Sequence, residues 1–146
     1  MCFAVNRLSF IPRLWARKIS LVPGKQRFLI SDFKLKGKSM LVESIKSIFN
    51  SVLKNHTNIE FGAHLHSDPI SWYDKIDSAF HAGCRRFDGA IKGFGGCPMA
   101  SNKLVGNMPT EKILSYLNTK KISNNVNSLR FESCYNQSLE IFNKFH

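Results

Sequence analysis

Ile59-Glu60-Phe61-Gly62-Ala63-His64-Leu65-His66 is the stretch on which the fold turns. It follows Asn58, a stop signal, and residues 59–64 suit a β-strand. Along a strand, residues i and i+2 face the same side, so His64 and His66 point together. Parallel α/β folds place their active sites at the C-terminal ends of their strands, where this pair falls. Imidazole is a common metal ligand but not a diagnostic one. Taken alone, the pair reads equally as two exposed or hydrogen-bonded histidines.

The flanking sequence alternates strand and helix. Upstream, Leu41, Ile45, Ile48, Phe49 and Val52 recur at steps of three and four, which predicts a helix over 39–56 capped by Ser39. Before it, Phe28-Leu29-Ile30-Ser31-Asp32 reads as a buried strand with Asp32 at its end. Downstream, Asp68 and Pro69 are placed as N-cap and first residue of a helix carrying Trp72, Ile76, Ala79 and Phe80, ended by Gly83. A strand over 86–91, a glycine-rich loop over 92–108, a helix opened by Pro109 and Glu111 and a last helix over 128–145 complete the order. The last helix aligns Leu129, Tyr135, Leu139 and Phe142 as its apolar residues.

Such alternation specifies parallel βαβ units and the α/β class. A (β/α)₈ barrel needs eight strands and about 200–250 residues. If these three strands belong to such a barrel, they are its last third, a partial TIM barrel of C-terminal βα units with two sheet edges open.

Composition bounds the remaining classes. With 43% hydrophobic residues the chain can build a core, which separates it from disordered sequences. Its net charge of +11 is uneven, since residues 1–38 hold nine Lys/Arg against one acid, Asp32. Residues 1–27 thus read as a poorly defined basic segment joined to a near-neutral domain over 28–146. A nucleic-acid partner is not expected: Phe3, Phe10 and Trp15 interleave with the basic residues, but no known module is visible. No apolar run approaches the roughly 18–20 residues that span a bilayer, so no membrane partner is expected.

The cysteines at 2, 84, 97 and 134 show no paired spacing, which favours a reducing compartment and a cytoplasmic location. The first thirty-one residues lack acids and include Arg7, Arg13, Arg17, Lys18, Lys25 and Arg27, in the manner of a mitochondrial presequence. Pro12 and Pro23 would interrupt its amphipathic helix.

Further chemistry-bearing residues lie around the histidine pair. Cys97, in Gly93-Phe94-Gly95-Gly96-Cys97-Pro98, is a thiol on a loop that glycine lets bend, suited to acid/base or nucleophilic work or to a structural place in a turn. Asn107 offers a hard amide oxygen suited to Mg²⁺ or Mn²⁺, or a turn residue before Pro109. Asp32 can orient a ligand or bind a metal-bound water, or mark a loop boundary. Asp88 alternates onto one face with Arg86, as a structural ion pair.

Gly62-Ala63-His64-Leu65-His66, Arg85-Arg86-Phe87-Asp88-Gly89-Ala90-Ile91 and the loop Gly93 to Pro98 together resemble 3-hydroxy-3-methylglutaryl-CoA lyase, most of all the bacterial branch whose loop runs Gly-Gly-Cys-Pro-Met-Ala. The likeness covers about residues 28–146 and is strongest over 59–117. It implies a TIM-barrel, metal-dependent lyase of leucine catabolism and ketone-body chemistry that cleaves hydroxymethylglutaryl-CoA to acetyl-CoA and acetoacetate. It assigns His64, His66 and Asn107 to a divalent metal, Mg²⁺ or Mn²⁺. Cys97 matches the loop cysteine that protonates the acetyl-CoA enolate, and Asp32 matches a strand-end acid. Phe33-Lys34-Leu35-Lys36 departs from the family's Thr-Ile-Gly after that acid.

The family's first strand carries an Arg-Asp pair, and its second strand a Glu. Residues 1–27 hold no Asp or Glu, so the isolated chain is expected to turn over little. An acyl-CoA substrate is the expected partner, with a second copy or a complementing barrel fragment alongside. Two other readings stay open: a Claisen-type synthase of the isopropylmalate or homocitrate kind, against which Gly95-Gly96-Cys97-Pro98 argues, and a non-catalytic remnant or subunit of a barrel enzyme.

Overall fold

The computed structural model describes residues 16–18, 26–31, 42–95 and 106–143. Phe28, Leu29 and Ile30 are all buried, as a strand covered on both faces requires. They belong to β2 (Gln26–Ser31), which pairs in parallel with β3 (Ile59–His64), from Gln26 opposite Ile59 to Ser31 opposite His64. β3 pairs in parallel with β5 (Phe87–Asp88), setting His64 opposite Asp88. Ser31, His64 and Asp88 thus form one row across the C-terminal ends of three parallel strands.

The basic segment contributes an element that its sequence did not signal. β1 (Ala16–Lys18) pairs antiparallel with β2 and covers one of the two edges expected to be open, giving the order β1-β2-β3-β5. The strand expected over 86–91 is shorter. Only Phe87–Asp88 pairs as a strand, Ala90 makes an isolated parallel bridge to Pro109, and Ile91–Gly93 turns as a 3₁₀ segment.

Helices cover the sheet where the apolar periodicity places them. α1 (Val42–Asn55) buries Ile45, Phe49 and Val52, the i, i+4, i+7 face of an amphipathic helix; Ser39 lies outside the described residues. α2 (Trp72–His81) begins three residues later than the Asp68–Pro69 pair suggests. Asp68 Oδ1 instead accepts from the backbone N–H groups of Ile70 and Ser71, at 2.9 and 2.7 Å, and holds a turn ahead of the helix. The Ser71 bond contributes most to keeping this carboxyl below the usual carboxylate range, and burial opposes it. α3 (Thr110–Thr119) follows Pro109 and buries Ile113 and Tyr116.

The described core gathers Phe28, Ile30, Phe49, Phe61, Leu65, Ile76, Met108 and Tyr116, among others. At its rim, Asp77 ties α2 to α3. Its carboxylate accepts the Tyr116 hydroxyl at 2.9 Å, with Lys120 Nζ at 3.1 Å and His81 Nδ1 at 3.2 Å. α4 (Ser128–Phe142) starts with the Asn127 side chain accepting from Arg130 N. Its expected apolar stripe is only partly covered. Leu129 is 79% exposed, whereas Phe142 stacks on Phe94 with ring centroids 3.8 Å apart.

Candidate metal-binding active site

His64 and His66 flank Leu65, and the alternation of an extended chain decides where each goes. Leu65 enters the core and is 2% exposed. The two imidazoles stay together on the other side, edge to face, with centroids 5.1 Å apart. They belong to two successive elements, because β3 ends at His64 and a two-residue strand, β4 (His66–Ser67), follows.

β4 pairs antiparallel with β6 (Gly106–Asn107), which sets Asn107 directly opposite His66. Met108 N donates to Leu65 O at 2.8 Å and Ala90 N donates to Met108 O at 3.0 Å, so the segment is bound on both sides. The Asn107 Nδ2 group donates to Phe94 O at 3.0 Å, which fixes the amide and leaves its oxygen as the remaining acceptor. His64, Asp88 and Asn107 line a shared cavity of ≈ 850 Å³. Of the three residues assigned to the metal by resemblance, His64 and Asn107 line this cavity, and His66 lies against the His64 ring and opposite Asn107, although Asn107 is more than forty positions from the histidines.

Among the described residues, no three His, Cys, Asp or Glu side chains gather as a metal site. The candidate donor set given by the resemblance is instead two imidazoles and an amide oxygen. Such mixed nitrogen and oxygen donors suit Mn²⁺, and the amide oxygen also suits Mg²⁺. As metal ligands, imidazole and amide oxygen bring no negative charge. An ion held by them alone keeps its full charge, so they fit as part of a site whose remaining ligands are anionic.

Asp88 and Arg86 come together as expected, Nη2 to Oδ1 at 4.0 Å, the outer limit of an ion pair. Arg86 also lines the cavity, and its enclosed Nη1 has no hydrogen-bond partner among the described residues. Alternation predicted the pairing but not this second role, which depends on how closely the chain packs over Gly62. Lys75, buried on α2 with its Nζ donating to the backbone carbonyl of His66, was not singled out by the sequence. The available signal was a cation at 75 inside the buried 72/76/79 face of a helix.

Cys97 and Asp32, the two catalytic residues assigned by resemblance, lie outside the described residues. The buried thiol among the described residues is chemically quiet. Cys84 is fully buried, and its Sγ donates to Arg86 O at 3.0 Å. Burial pushes its pKa up to about 12, which leaves almost no thiolate near neutrality. Iodoacetamide at about pH 8 should therefore alkylate exposed Cys134 and spare Cys84 until the chain is unfolded. Peptide mass spectrometry checks this, and labelling of Cys84 in the folded chain would show the site to be open.

Over 74 residues the chain is 30% identical to (R)-citramalyl-CoA lyase of Chloroflexus aurantiacus, a match covering 51% of this chain and 23% of that enzyme. The HMG-CoA lyase of Bacillus subtilis shares the fold with a TM-score of 0.63 at 23% identity, over 77% of this chain and 36% of that one. The Acinetobacter baumannii HMG-CoA lyase, solved in complex with coenzyme A and 3-methylmalate, gives 0.56 at 25% identity, over 68% and 31%. This chain resembles the hydroxymethylglutaryl-CoA lyases. No family model matches it. It spans less than two-fifths of the length of each of these relatives.

The resemblance to these lyases thus rests on sequence over half the chain and on fold over about three-quarters. Among the described residues, no helix is long and apolar enough to cross a membrane.

Proposed function

We propose that this chain forms part of an acyl-CoA carbon–carbon lyase, and that its substrate is 3-hydroxy-3-methylglutaryl-CoA, cleaved to acetyl-CoA and acetoacetate. The observation that carries the reading is that His64 and Asn107 line one cavity at the C-terminal ends of the parallel strands, with His66 edge to face with His64 and directly opposite Asn107. The lyase relatives, one of them bound to coenzyme A, support the thioester class.

In this proposal His64, His66 and Asn107 hold a divalent ion, Mg²⁺ or Mn²⁺, which when bound polarises substrate oxygens as a Lewis acid. Asp32, one position past the end of β2, helps to remove the proton from the tertiary hydroxyl. The carbon–carbon bond then breaks to a ketone and the enolate of acetyl-CoA. Cys97 donates a proton to the enolate carbon and completes acetyl-CoA.

The match to citramalyl-CoA lyase favours a second substrate of the same class, citramalyl-CoA. Calorimetry tests the metal site. The full chain should bind Mn²⁺, and His64→Ala and Asn107→Ala should each weaken it by more than roughly tenfold. Loss of Mn²⁺ binding in neither variant would falsify the site. Measuring acetyl-CoA released from each thioester by the Mn²⁺-loaded chain then decides between the substrates, the one cleaved faster being the substrate.

A further inference from the structure

Lysine is seldom buried, because an ammonium leaves water only at a cost that hydrogen bonds and nearby charge must offset. Lys75 is nevertheless only 3% exposed. It lies on the inner face of α2 beside Ile76 and Ala79. Its Nζ donates to the backbone carbonyl of His66 at 2.5 Å, and the Asp68 carboxylate is near enough to interact with its charge.

The place of that bond explains it. A strand of two residues has few ladder bonds with which to fix its own backbone. His66 sits between two peptide planes. Leu65 O accepts from Met108 N at 2.8 Å, which holds the plane before His66. His66 O accepts from Lys75 Nζ, which holds the plane after it. Fixing both planes fixes φ and ψ of His66, and so the direction in which its imidazole leaves the chain. The main-chain bond comes from the segment that carries Asn107; the side-chain bond comes from α2.

We infer that Lys75 is a positioning residue, which aims His66 at the ion through the backbone. The inference rests on the metal-binding reading of His64, His66 and Asn107. It assigns Lys75 no contact with substrate or metal. Groups that orient a metal ligand from behind typically change metal affinity by roughly 10- to 100-fold when removed.

The test compares the full chain with Lys75→Met, which keeps the apolar stem and loses the donor. Lys75→Leu, which also lacks a donor, serves if the Met variant does not fold by circular dichroism. Lys112→Met, at an exposed lysine lying over Trp72, is the control. The Lys75 variant should bind Mn²⁺ at least about tenfold more weakly per folded molecule. Its Co²⁺ complex should show an altered visible spectrum, because the ligand field depends on imidazole direction. Lys112→Met should leave both readouts unchanged. A purely packing role would lower the melting temperature but leave the affinity per folded molecule and the Co²⁺ spectrum as they are, and that result overturns the inference. A wild-type chain that takes up neither Mn²⁺ nor Co²⁺ overturns the metal-binding reading itself. Metal uptake by wild type that the Lys75 variant matches in affinity and spectrum overturns the role of Lys75 alone.

Discussion

Gly93→Ala should destabilise the chain by roughly 2–5 kcal/mol and abolish tight Mn²⁺ binding. Two separate penalties meet at this residue. Its φ is +70°, a conformation that costs a non-glycine residue about 1–2 kcal/mol. A Cβ built there would also lie 2.7 Å from Asn107 O, a backbone atom that cannot swing aside. The contact is reciprocal, since a Cβ on Gly106 would lie 2.7 Å from Gly93 O. Glycines 93 and 106 therefore let two main chains touch, and the touch delivers Asn107 to His66. Urea unfolding measures the first effect and calorimetry the second. Gly83→Ala provides the contrast, for its φ of +98° closes α2 and, among the described residues, its Cβ would meet only the Leu53 side chain. That variant should lose stability and keep Mn²⁺ affinity. Equal affinity for Mn²⁺ in the Gly93 variant would detach the loop from the site.

How much of this was legible beforehand follows from the range of each interaction. β2, β3, α1 and α3 were visible because their cause is local: apolar residues at strand or helix period write the buried face directly into the sequence. α2 was visible, but its start was not, because an Asp-Pro pair caps a turn as readily as a helix. The strand at 86–91 shrank to two residues because Ala90 bridges Pro109 and the chain then turns. β1 left no signal, since three residues of a basic segment acquire strand form only by pairing with Ile30, Leu29 and Phe28. The exposed Leu129 shows the opposite failure, an apolar residue at helical spacing with nothing described packed upon it.

The site divides in the same way. The side-by-side disposition of His64 and His66 follows from the period of an extended chain, so two residues of spacing were enough. Asn107 was placed by resemblance, and only the antiparallel pairing of β4 with β6 shows what holds it there. Lys75 could not be assigned a purpose from sequence, because its partner is a main-chain carbonyl and carbonyls are the same at every position. A cation on an apolar helical face marks a buried bond to something, and the fold alone says to what.

Phe49→Ala should cost about 3–5 kcal/mol, the usual range for emptying an aromatic site in a core. Phe49 is 0% exposed and stands between Ile45 and Val52 on the buried face of α1. α1 packs against α2 and β3, so its loss loosens the cover of the sheet on that side. A domain of this size is held by about 5–15 kcal/mol in total, and the variant should therefore approach the edge of stability. The urea midpoint should fall while the slope stays unchanged, which marks a change in stability rather than in the extent of unfolding. Leu129→Ala, at a side chain 79% exposed, should stay within about 0.5 kcal/mol of the parent. The comparison also separates the scaffold from the site. α1 carries none of the metal donors, so at low urea the folded fraction of Phe49→Ala should bind Mn²⁺ as the parent does. Gly93→Ala, similar in stability cost, should not. Two variants of like cost and unlike metal affinity would show that the 93–107 closure acts on the site directly and not through general loss of fold.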